Sequence, residues 1–257
     1  KKIRELLQKE KGILLFTGES GMGKTALLEK AAAEYQGQPN IIVAAHSCLH
    51  SDNNASPFMG LLADLLCKME YKQVRPLDEH LKGIGKGLLD NAPEIGKAIF
   101  VSMVETLGVK LKKPINMIFQ EVENQALYPG IQKAKELLAN SPMLFAEQYL
   151  NILAAVTKDY PNLYFLYVLD QMERPDFIAQ KILLDVASRL PARNFLLVGF
   201  KRETGEETQA KYLTISPQLN VIGEERELPG LSVEEIGYWE RQATGKELLD
   251  RLCAWRI

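Results

Sequence analysis

Residues Gly18-Glu19-Ser20-Gly21-Met22-Gly23-Lys24-Thr25 place three glycines, an ammonium and a hydroxyl in the spacing G-x-x-x-x-G-K-[ST]. The chemistry these types can do together is the cradling of a polyphosphate. Glycine at 18, 21 and 23 takes backbone angles closed to residues with a Cβ and lets the main chain approach phosphate oxygens. Lys24 offers a mobile charge to the β and γ phosphates, and Thr25 a hydroxyl to Mg²⁺. With Glu19, Ser20, Met22 and Ala26 the stretch forms the candidate binding segment for ATP or ADP. Without ligand, the Lys24 ammonium is expected to face solvent.

Such a loop needs a carboxylate on a neighbouring strand to hold Mg²⁺ through water. The apolar run Leu163 to Leu169 ends in Asp170, where that carboxylate belongs. A strand-terminal Asp that merely caps a turn is the bland alternative. Hydrolysis also requires a group that orients or deprotonates water. Gln171 can position water but cannot act as a base near neutral pH, and Glu173 is the other candidate. Slow turnover is expected. Arg202, after the strand Phe195 to Gly199, is the candidate γ-phosphate sensor, against the alternative of a solvated basic loop. Arg189 or Arg193 are candidates for reaching a neighbouring subunit's nucleotide, against the reading of ordinary surface arginines.

The elements that must position these groups read as an alternation of buried strands and helices. Strand Ile13 to Phe16 feeds the loop, and helix Ala26 to Ala33 leaves it. Ile3, Leu6 and Leu7 mark a short helix, and Ile41 to Ala45 a second buried strand. From about 56 to 141 the pattern is helical, clearest at Phe58 to Leu66. Pro142 to Tyr160 is amphipathic, with Leu144, Phe145, Tyr149, Leu150, Leu153 and Val156 along one side. Phe177 to Leu190 predicts another helix. Ser232 and Glu235 form a capping box for a further one. The fold class expected is α/β, a P-loop NTPase three-layer sandwich with a central parallel sheet, a helical insert at about 56–141 and the start of an α-helical lid. The core is assigned to 1–224 and the lid to 225–257.

Composition bounds the rest. The 257 residues are 46% hydrophobic and 25% charged, with a formal charge of −2, so no global attraction for nucleic acid exists. No apolar run approaches the roughly 20 residues that span a bilayer, and no secretory leader is visible. Cys48, Cys67 and Cys253 make no disulfide framework, which with an ATP-type loop favours the cytoplasm. Both chain ends look cut, as in one module of a longer protein. His46-x-Cys48-x-His50 shares one face if the strand continues, yet lacks a fourth metal ligand. Lys82, Lys86, Lys97, Lys110, Lys112 and Lys113 read as a solvated helical face rather than a nucleic-acid surface. No Asn-Lys-x-Asp guanine-reading motif occurs, which favours ATP over GTP, and no Leu-Ser-Gly-Gly-Gln transporter signature occurs.

In order, these segments resemble the AAA+-related signal-transduction ATPases with numerous domains, the STAND class, in particular maltose-regulon-activator-like and adenylate-cyclase-associated regulators. Beyond the loop, the resemblance rests on Ser56-Pro57-Phe58, Asn91 to Gly96, Leu144-Phe145, Leu169 to Asp176, Gly199-Phe200-Lys201-Arg202 and Glu227 to Ser232. The run from Leu169 falls where that class usually has Leu-Asp-Asp-Leu-His-Trp-Ala-Asp. Gln171 therefore replaces its second acid and Arg174 its Trp. The resemblance implies a nucleotide switch with further sensor and effector domains, closed with ADP and oligomerising as a homo-oligomer with ATP. The alternatives are a DNA-associated AAA+ ATPase of the archaeal or origin-recognition type, marked by salt-dependent DNA binding, and a small-molecule kinase, which needs an arginine-bearing lid absent from Leu27 to Tyr35.

Overall fold

A computed structural model of the chain describes residues 2–48, 55–71, 141–202 and 206–228. Most of the expected helical insert, and the lid beyond Leu228, lie outside these residues. So do Asn91 to Gly96, the six insert lysines and the capping box at Ser232. The described elements are α1 (Lys2–Leu7), β1 (Gly12–Gly18), α2 (Lys24–Gln36), β2 (Ile41–Ser47), α3 (Ser56–Tyr71) and α4 (Pro142–Asp159). They continue with β3 (Tyr164–Asp170), α5 (Phe177–Ser188), β4 (Asn194–Lys201), α6 (Glu206–Ile222) and β5 (Glu224–Glu227).

The five strands form one parallel sheet in the order β2-β3-β4-β1-β5. Continuous apolar runs in β1, β3 and β4 reflect burial on both faces, and strand periodicity sorts their side chains into two cores. Leu14 and Phe16, Leu166 and Val168, and Phe195 and Leu197 face α1 and α2, packing on Leu6, Leu28, Ala31 and Tyr35. The alternate residues, including Leu15, Phe165, Tyr167, Leu169, Leu196, Val198 and Phe200, face α3 to α6. The result is a three-layer α/β sandwich. Phe145, Tyr149, Leu150, Leu153 and Val156 of α4 are buried as expected, whereas Leu144 is exposed.

Two elements carry no clear signal in the sequence. α6 has no clean apolar stripe and carries Pro217 inside it. β5 consists of four charged residues, Glu-Glu-Arg-Glu, yet pairs in parallel with β1, so the sheet runs to Glu227 and the boundary at 224/225 falls within a strand. Its anchor is Glu225. Oε1 accepts hydrogen bonds from Thr17 Oγ1 at 3.0 Å and Tyr212 OH at 2.7 Å. Oε2 accepts from Ser216 Oγ at 2.5 Å and Asn220 Nδ2 at 2.9 Å. One carboxylate thus ties β5 and α6 to the strand that carries the phosphate loop.

Partial burial pushes the Glu225 pKa up, but hydrogen bonds from Ser216, Tyr212, Asn220 and Thr17 outweigh it and hold the carboxyl below its ordinary 4.5. A lowered folded-state pKa contributes stability above the unfolded value, lost as pH falls through the folded one. In Glu225→Gln, the deficit in thermal midpoint relative to wild type is therefore expected to be largest above about pH 5 and to shrink as pH falls below about 4. A deficit independent of pH, followed by thermal denaturation between pH 3 and 7, contradicts the charged anchor.

Candidate functional site

The C-terminal ends of β1, β3 and β4 converge with the start of α2 on a cleft of about 450 Å³. Its lining includes Ser20, Gly21, Gly23, Lys24, Thr25, Asp170 and Lys201. Gly21 and Gly23 have φ of 81° and 79°, and Gly18 of 152°. A Cβ at 21 or 23 would meet nothing within 4 Å, so those glycines are required by backbone conformation alone. Gly23 caps α2 in the left-handed conformation, with no side-chain cap and no acidic residue in the first turn. No side chain caps the N–H groups of that turn, and its positive end faces the cleft, a place suited to an anion. α5 differs, because Asp176 caps it by accepting from Ala179 N at 2.8 Å.

Lys24 is not simply solvent-facing, as the sequence suggested. Its Nζ donates to the carbonyls of Gly18 at 2.8 Å and Glu19 at 2.6 Å, drawing the loop around its own ammonium. Thr25 Oγ1 donates to Asp170 Oδ2 at 2.6 Å. The hydroxyl after the loop lysine and the carboxylate ending β3, 145 positions apart in sequence, are therefore in direct contact.

β4 lies between β1 and β3, so the Asp170 carboxylate must pass it to reach α2. Gly199 makes the passage. A Cβ there would overlap Asp170 Oδ1 and stand 2.7 Å from Leu28 Cδ1. Its necessity arises only from the tertiary adjacency of three elements. Asp170 itself is 6% exposed, and its carbonyl accepts Cys48 N–H at 2.9 Å.

After Asp170 the chain turns sharply. Gln171 has φ of 58°, an unfavourable region for a residue with a Cβ, and its buried Oε1 has no hydrogen-bond partner. The turn is held by Met172 N–H on the Gly199 carbonyl at 2.9 Å and Arg174 N–H on the Gln171 carbonyl at 3.0 Å. Gln171 and Glu173 both line the cleft, but Glu173 Oε2 accepts the main-chain N–H of Lys201 at 2.8 Å. Arg174, from the run that begins at Leu169, also lines it, as does Glu29, which no motif marks.

Arg202, whose N–H donates to the Gly18 carbonyl at 2.9 Å, lies outside the lining of the cleft. Its guanidinium pairs with Glu227 at 3.2 Å and lies 5.2 Å from the Tyr212 ring centroid. Strand parity explains this. Gly199 and Lys201 share the face of Phe195 and Leu197, towards α2, while Phe200 and Arg202 take the other, so Lys201 enters the cleft instead. Arg193 immediately precedes β4, at the end of the sheet away from the cleft, and Arg189 pairs with Asp185 at 3.4 Å. Of the His46, Cys48 and His50 trio, His50 lies outside the described residues. Cys48 is buried, with Sγ 3.8 Å from Met172 Sδ. Among the described residues no group of three or more His, Cys, Asp or Glu side chains gathers as a metal site.

The parallel sheet, the loop and the carboxylate make one statement secure. The described chain has a P-loop NTPase-like α/β fold. No known family profile matches the chain, and no curated protein matches it. Among solved structures, it is similar to the ORC2 protein of Aeropyrum pernix in its ADPNP-ADP complexes, at 16% identity and TM-score 0.42. It is also similar to the ADP form, at 15% and 0.40; both likenesses cover 93% of this chain and 48% of the other. The chain thus spans about half the length of those proteins. Among the described residues no helix is long and apolar enough to cross a membrane.

Gly199→Ala is expected to cost about 1–3 kcal/mol by overpacking against Asp170 and Leu28. The double variant Gly199→Ala/Asp170→Ala is expected to lose less than the sum of the two single variants, because the carboxylate that the methyl strikes is gone. Strictly additive losses in denaturant melts would show that Asp170 is not what the glycine accommodates.

Proposed function

We propose that the chain is an ATP-binding, slowly hydrolysing nucleotide switch module of a larger multidomain signalling or defence regulator. The observation that carries this reading is the 2.6 Å contact between Thr25 and Asp170 beside the Lys24 ammonium. Thr25 and Asp170 present two hard oxygen donors of the kind Mg²⁺ takes, with phosphate and water completing its shell. They fit that ion as its holders, Asp170 acting through water. A bound Mg²⁺ would neutralise charge on the β and γ phosphates. Lys24 would exchange its loop carbonyls for phosphate oxygens, and the first turn of α2, which no side chain caps, would supply N–H donors.

Lys201 takes the γ-phosphate contact first assigned to Arg202, since it lines the cleft. Gln171 lines the cleft, where its amide could orient water but cannot accept the proton. Glu173 is a base with one oxygen already committed to Lys201 N–H, which supports slow turnover. The absence of a guanine-reading motif favours ATP, and the ordered motifs support membership of the AAA+-related STAND class. ATP-dependent homo-oligomerisation, additional sensor and effector domains and a cytoplasmic setting complete the proposal. A switch requires only that nucleotide bind its two states unequally, and a contact made to γ phosphate alone provides that difference.

The wild-type chain is expected to bind Mg²⁺-ATP and turn it over at less than about one per second, towards the slow end of enzyme rates. Lys24→Ala is expected to weaken binding about a hundredfold, or roughly 2.7 kcal/mol, with little change in thermal midpoint. Unchanged affinity in that variant, measured by calorimetric titration, would defeat the proposed site.

A further inference from the structure

Among the described residues two charged side chains are buried: Asp170, at 6% exposure, and Lys211 on α6, at 5%. Burying an ammonium is costly unless it is paired and hydrogen-bonded. One partner of Lys211 is Glu207 Oε1, 2.9 Å away and one turn earlier, but the Glu207 side chain is 77% exposed. A pair with so exposed a partner is worth little and gives no reason to leave water. The other partner lies inside. Nζ donates to the main-chain carbonyl of Glu173 at 3.1 Å, with the Phe177 ring centroid 5.8 Å from the ammonium.

That carbonyl belongs to the residue whose side chain grips the Lys201 main chain. The path runs from Lys211 Nζ to Glu173 O, then from Glu173 Oε2 to Lys201 N–H, and Lys201 lines the cleft. The turn it crosses begins at strained Gln171 and would relax if released. Of the loop, Gly18 pairs with Lys201 across β1 and β4 and accepts the Arg202 N–H at 2.9 Å, while the residues that would hold the α and β phosphates, Gly21 to Thr25, follow three or more positions later. We propose that Lys211 is a positioning residue for the γ-phosphate side of the cleft. By fixing Glu173, and through it Lys201, it sets the preference of the site for a nucleoside triphosphate over the diphosphate. The inference rests on the nucleotide-switch reading and adds to it the element that makes the two nucleotides unequal.

Calorimetric titrations with Mg²⁺-ADPNP and Mg²⁺-ADP, on wild type and on Lys211→Met, Lys211→Arg and Glu207→Gln, test it. Lys211→Met is expected to weaken ADPNP binding about tenfold while ADP stays within about twofold, the scale of one hydrogen bond to a charged donor. Lys211→Arg, which keeps charge and donors, is expected to stay within about threefold for both nucleotides, and Glu207→Gln to match wild type. Amide exchange at Lys201 is expected to quicken in Lys211→Met, a readout that needs no nucleotide. If Lys211→Met does not fold, Lys211→Gln, whose head is too short for the carbonyl, is judged by the same ratio. Equal losses for ADP and ADPNP, no loss, or a loss in Glu207→Gln matching that of Lys211→Met overturns the proposal. Failure of wild type to bind either nucleotide instead overturns the underlying reading.

Discussion

The cleft depends on a carboxylate that reaches across a strand. Asp170 closes β3, Thr25 opens the first turn of α2, and β4 stands between β3 and the strand that feeds the loop. Sheet order would keep the two side chains apart were it not for Gly199, whose missing side chain leaves the space that Asp170 Oδ1 occupies. Strand parity completes the arrangement. Leu166, Val168 and Asp170 alternate onto the face of α2, so the residues that build the core there also aim the carboxylate. Packing and site are one periodicity, apolar where it is covered and acidic where it ends.

Around that contact the molecule holds unfavourable local features that its surroundings sustain. α2 starts without a side-chain cap, Gln171 adopts a left-handed conformation with a buried unpartnered oxygen, and Lys211 carries a charge indoors. Such costs run to about 1–3 kcal/mol each and concentrate where structure serves a ligand. α6 is central to sustaining them. From adjacent positions it sends Lys211 to the turn after β3 and Tyr212 to Glu225, which holds Thr17 just before the loop. One helix thus grips both walls of the cleft.

The phosphate loop was legible because glycine spacing, lysine and hydroxyl are dictated by local backbone geometry, and the flanking runs named their elements. Asp170 was legible as the polar end of an apolar strand. The basic pair Lys201-Arg202 does not by itself say which side chain faces the cleft; strand parity places Lys201 there. β5 and α6 were illegible for physical reasons. Glu-Glu-Arg-Glu has no strand propensity and is held by main-chain pairing and by Thr17, while α6 presents no apolar stripe. Gly199 and Lys211 act only through contacts distant in sequence, which no local pattern encodes.

If the cleft works as proposed, the Thr25 and Asp170 oxygens share a divalent cation when nucleotide is bound. The most direct measurement is a crystal structure with ADPNP and Mn²⁺, the metal located by its anomalous signal. The Thr25–Asp170 hydrogen bond is then expected to open, with the metal held by Thr25 Oγ1 and, through one water, by Asp170. A nucleotide bound elsewhere, or a metal seated away from an intact Thr25–Asp170 hydrogen bond, would contradict it.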